Sequence, residues 1–182
     1  EEIRSLGLSH SASEKLAKEL NDAATLALLG EMYYSTYVGL GNHAASDQGM
    51  KEMFDRAAAH ASGKQEQGHM KLRMALYEER VGHYGRAAEL AQELADNFGQ
   101  EELVEVEIGP NAPDRVRFGV KDSTVLGEKL AKDYIKGLIE KYGRDCYAKF
   151  DALAKEALTK AEAGGDPLKI LAVEKTWPNS QW

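Results

Sequence analysis

Cysteine is nearly missing. Cys146 is the only one in 182 residues, which excludes an internal disulfide and a zinc site built from several thiolates. Cys146 reads as a buried small hydrophobe, a common place for an unreactive cysteine. Proline occurs four times, so helices have few obligatory breaks. No apolar run approaches the roughly 20 residues of a membrane span, and no signal-peptide pattern opens the chain. It begins EEIRS, without Met. Cytoplasmic location and no membrane partner are the expectations. Positive charge is in deficit: the net charge is −7 and the pI about 5.3. That argues against a nucleic-acid partner and favours cations. No P-loop, dinucleotide fingerprint, nucleophile elbow or CxxC is written.

What is present is helical periodicity in a chain of one-domain length, with 43% hydrophobic residues. SASE at 11–14 reads as a capping box. A stripe follows it through Leu16, Leu20, Ala23, Ala27, Tyr34 and Val38. SDQG, 46–49, reads as a turn, and a second helix runs from Met50 to about Val81. VGHYG at 81–85 is a break, and a third helix covers about 86–98. LVEVEI (103–108) and RVRFGV (115–120) alternate with period two around GPNAPD, which predicts a β-hairpin insertion at 103–120. Helical periodicity resumes at Asp122 and runs to about Ala163, interrupted near YGRD, 142–145. The tail, 164–182, opens with a helix stop and carries an apolar patch and two tryptophans that pack back on the bundle or on a neighbour. The expectation is a single all-α domain over 1–182: a four-helix bundle with a hairpin insertion and an extra C-terminal segment.

Glu31 breaks the pattern of the first helix. At about 100° per residue it falls inside the apolar stripe, and a buried carboxylate needs a cation, a proton or a metal. A salt bridge to Arg or Lys would also answer it. Glu66 lies 35 positions later, followed by His69. On a helix, that Glu-x-x-His spacing puts both side chains on one face, about a turn apart. With a turn at 46–49, Glu31 and Glu66 stand at the same height of an antiparallel pair. Carboxylates with neutral imidazole suit iron and manganese, and four-helix bundles hold dinuclear centres in this way.

LALLGEMYYSTYVGL (26–40) and KQEQGHMKL (64–72) resemble the ferritin-like superfamily of ferritins, bacterioferritins and rubrerythrins. The resemblance covers about a third of the chain. It implies two iron ions, or manganese, with Glu31 as a terminal ligand, Glu66 bridging or terminal, and His69 as a neutral ligand. It implies oxidation of bound Fe(II), or of another substrate, by O₂ or peroxide. Tyr33, Tyr34 and Tyr37 follow the first glutamate. Tyr34 is the candidate catalytic residue, as an electron carrier or tuner of the metal; core filling is the other reading of these rings. The second half departs from the family pattern, with no histidine after His83. Glu128, which flanks an apolar stripe, is the candidate fourth ligand, with Asp151 behind it. His60, His83 and His43 read as non-ligands. The hairpin and tail weigh against a cage, so a monomer or homodimer is expected. The competing reading is a non-catalytic helical binding or interaction protein.

Overall fold

The computed structural model describes residues 43–104 and 124–182. Glu31, Tyr33, Tyr34, Tyr37, the first helical stripe and the hairpin strand 115–120 lie outside the described residues. Six α-helices and one small antiparallel strand pair make up what is described: α1 (His43–His60), α2 (Lys64–Arg80), α3 (Tyr84–Phe98), β1 (Glu102–Val104), β2 (Thr124–Leu126), α4 (Gly127–Tyr142), α5 (Ala148–Gly164) and α6 (Pro167–Thr176). None of the helices searched among these residues is long and apolar enough to cross a membrane. The chain divides into two compact units, Glu1–Met70 and Lys71–Trp182, with the boundary inside α2.

In the first unit, the turn expected at Ser46–Gly49 is not there: α1 runs straight through it. Met53, Phe54 and Ala57 are buried, and one interior glycine, at about 1 kcal/mol, is too small a cost to stop a helix with an apolar stripe. The helix expected over 50–81 is instead two, broken at 61–63. The break has a local cause. Gly63 precedes Lys64, and the Glu66 carboxylate accepts both the Ser62 N–H (2.8 Å) and the Ser62 hydroxyl (3.1 Å). A first-turn acid that reaches back over the helix entry fixes where a helix begins. Both changes remove the equal-height argument for Glu31 and Glu66, which required a turn at 46–49 and one unbroken helix beyond it.

The second unit is built around α3 and α4. α3 presents Ala87, Ala88, Leu90, Ala91 and Leu94, and α4 presents Leu130, Ala131, Tyr134, Ile135 and Leu138, all buried. Alanines at facing positions let the two backbones approach closely. α2 ends with Gly82 at φ +89°, the His83 N–H on the Glu78 carbonyl and the Gly82 N–H on that of Glu79. That pairing is the Schellman pattern, and glycine adopts its left-handed φ without strain.

The strand pair joins Glu102 to Leu126 and Val104 to Thr124. The helix expected from Asp122 therefore begins only at Gly127. Its entry docks on the exit of α3: the Gly127 N–H donates to the Glu101 carbonyl (2.9 Å) and the Glu128 N–H to the Gly99 carbonyl (3.0 Å). Donors left over at a helix start thus satisfy carbonyls left over beyond a helix end. The break near YGRD is as expected: Gly143 at φ +87°, then a 3-10 turn over Arg144–Tyr147. α6 starts on Asp166, whose side chain accepts the Leu168 N–H at 3.0 Å, with Pro167 in its first turn.

Candidate functional site

Glu66 and His69 sit one turn apart in α2, both half-buried. The helix thus supplies the geometry that the spacing predicts. Glu66 is also the residue that closes over Ser62, so its carboxylate already carries two hydrogen bonds. Glu128 lies in the first turn of α4, half-buried, in the second unit. Among the described residues, no group of three or more His, Cys, Asp or Glu side chains could hold a metal ion. Glu66 and His69 alone do not fit a dinuclear iron or manganese centre, which draws carboxylates from several helices.

Asp151, the reserve ligand, has another role. It is buried and takes two bonds from Arg144, Nε to Oδ2 and Nη2 to Oδ1, each 2.7 Å. Its Oδ1 also accepts the Gln181 N–H (3.0 Å), and Arg144 donates to the Asn179 carbonyl (2.9 Å). The fork of a guanidinium matches a carboxylate in this way. This pair ties the C-terminal segment down, as does Asn179 Nδ2 on the Lys132 carbonyl. Trp177 packs on the core cluster of Tyr134, Tyr147 and Phe150. The tail therefore packs back within its own unit.

Two further polar networks join elements far apart in sequence. Buried Gln92 donates to Asp96 and to the Thr176 carbonyl, and accepts the Tyr147 hydroxyl at 2.9 Å. Glu79 accepts Tyr134 at 2.9 Å, Tyr142 at 3.0 Å and Lys141 at 3.4 Å. Apart from Gln92–Asp96, one helical turn apart, the partners are 55 or more positions away in sequence, and periodicity carries no signal for them. The other candidates hold modest local positions. His83 faces Glu78 through Nδ1 at 2.8 Å and His60 is exposed at the end of α1. Cys146 is half-buried, its thiol donating to the Gly143 carbonyl, and burial pushes the thiol up, away from reactive thiolate.

No protein-family model matches the chain, and neither the curated proteins nor the solved structures contain a match to it.

Proposed function

We propose that the chain is a ferritin-like helical protein that binds iron or manganese through Glu31, Glu66 and His69. The observation that supports this reading is the placement of Glu66 and His69: one face, one helix, both half-buried. An imidazole one turn from a carboxylate brings two ligand types suited to iron or manganese to one helix face. The four-helix arrangement and the oxidase, peroxidase or ferroxidase class of reaction rest on the resemblance in sequence. The test is elemental analysis of protein reconstituted with Fe(II) or Mn(II), beside His69→Ala. About two metal ions per chain, lost in the variant, is the expected result. No metal above background after reconstitution overturns it.

A second reading, a non-catalytic helical interaction protein, is favoured by one observation. Glu66 already has a structural duty at Ser62. On that reading, Glu66 serves the helix entry at Ser62, and wild type and His69→Ala are both metal-free after reconstitution.

A further inference from the structure

Glu79 gathers phenols in a way that the packing of α2 on α4 does not require. Its Oε2 accepts the Tyr134 hydroxyl at 2.9 Å, the shorter of that hydroxyl's two contacts (the Ala75 carbonyl lies at 3.1 Å), and its Oε1 accepts the Tyr142 hydroxyl. The Tyr142 ring stacks on Tyr84, with centroids 3.8 Å apart and planes at 13°. Tyr134 is only 2% exposed, while Tyr142 and Tyr84 are half-buried. Three rings therefore run from the core to the surface within one unit.

A phenol oxidised to a neutral radical must lose a proton with its electron. A base within hydrogen-bond reach accepts that proton over a short distance. Prior ionisation is closed to Tyr134, because burial first, and then the charge of Glu79, push its hydroxyl far above the ordinary phenol range. We infer that Tyr84, Tyr142 and Tyr134 form a redox-active relay in which Glu79 is the proton acceptor. The oxidant is an outer-sphere one-electron acceptor, so the relay stands apart from the metal reading. In the first step, one electron leaves Tyr142 through the stacked Tyr84 ring to the oxidant. The phenolic proton moves to Oε1 of Glu79, giving a phenoxyl and a carboxylic acid, while Lys141 keeps its charge. In the second step, an electron passes from Tyr134 to Tyr142. Oε1 returns its proton to Tyr142 as Oε2 takes the proton of Tyr134. One O–H bond forms at Tyr142 and one breaks at Tyr134. The radical rests on the ring best shielded from water.

The test uses the full chain, photogenerated tris(bipyridine)ruthenium(III) with persulfate as oxidant, and freeze-quench electron paramagnetic resonance. Circular dichroism checks the fold of each variant. The chain has eight tyrosines, so the long-lived signal is the diagnostic one. It is expected in wild type and lost in Tyr134→Phe. Glu79→Gln keeps an acceptor oxygen but removes the base, and should lower the yield at least about tenfold. Tyr142→Phe should slow the appearance of the signal. A long-lived signal unchanged in Tyr134→Phe, or only short-lived radicals that end as dityrosine, overturns the relay. If Glu79→Gln does not fold, the two Phe variants decide the matter.

Discussion

Among the described residues, the two units offer polar bonds of different reach. In the first, Lys51–Asp55, Ser62–Glu66 and Gln67 on the Ala61 carbonyl all join residues within six positions of one another. In the second, Arg144–Asp151, Gln92–Tyr147 and Glu79–Tyr134 bridge separate elements. Local bonds decide where a helix starts and stops, and they are replaceable by water when broken. Bonds between elements, made out of water, decide which helices lie together, and breaking one strands its partner. Substitutions in the second unit should therefore cost fold, and those at the start of α2 should cost little beyond the helix entry.

The largest effect is expected at Arg144. Its side chain is 36% exposed, whereas Asp151 is 8% exposed. Arg144→Ala leaves a buried carboxylate without its cation, which costs about 3–5 kcal/mol. Asp151→Ala should cost less, since the stranded guanidinium can rehydrate from the surface. Urea midpoints of the two variants give the order. Equal losses, or a greater loss for Asp151→Ala, would show that the pair is not held as described.

Gly127 comes next. A Cβ there would meet the Phe98 carbonyl oxygen at 2.4 Å, and a backbone atom cannot swing aside. Gly127→Ala should cost about 1–3 kcal/mol, as overpacking does. Gly164 is the control: it is helical and has nothing within 4 Å of its Cβ position. There alanine should raise stability by up to about 1 kcal/mol. Thermal unfolding of both variants tests the pair, and a tolerated Gly127→Ala would break the docking of α4 on α3.

α3, the break near YGRD and the helix stop before Asp166 follow from apolar periodicity and glycine, which act over a few residues. No turn forms at 46–49 because Ser, Asp and Gly signal turns only when no buried stripe overrides them. α1 has one, in Met53, Phe54 and Ala57. Strand character at 103–104 is legible, but the partner there is Thr124–Leu126, not the expected 115–120, which lies outside the described residues. Three residues are too few to show a period of two, and helical periodicity claims them instead. For the candidate ligands, the helical spacing of Glu66 and His69 was legible. The reach of Glu66 back to Ser62 is written as Ser-x-x-x-Glu across a glycine, one residue longer than the capping-box spacing. Periodicity puts Asp151 on the flank of the apolar stripe, but its partner Arg144 lies across a helix break, beyond the reach of helical periodicity.

At the start of α2 the expected effects are smaller and divide by residue. Ser62→Ala and Glu66→Ala should each cost about 1 kcal/mol, the value of a helix-entry bond, without metal present. His69→Ala should leave the metal-free urea midpoint closer to wild type and abolish any shift on adding Mn(II). A loss of several kcal/mol in metal-free Glu66→Ala would place Glu66 among the bridging groups of the second unit's kind and end the comparison as drawn.

The smallest effect concerns acid. Glu89 accepts from Lys149 at 2.7 Å and from Arg86 at 2.9 Å. The Lys149 hydrogen bond first, then that of Arg86, hold its carboxyl below the ordinary range. A carboxyl lowered on folding stabilises the protein fully above its unfolded pKa. That contribution fades as pH falls through the lower folded value. Glu89 therefore adds to stability at neutral pH and stops adding in mild-to-strong acid, below the usual carboxylate range. The group and its partners face solvent, so the contribution should be only about 0.2–1 kcal/mol, the range for exposed pairs, and should shrink in salt. Lys149→Ala should remove most of it, because Lys149 is the larger cause. Urea midpoints measured across the acid limb should show wild type and Lys149→Ala converging as pH falls. A gap between them that persists below the carboxylate range would mean that Lys149 acts through its stem over the Phe150 ring, 5.8 Å from its ammonium, and not through Glu89.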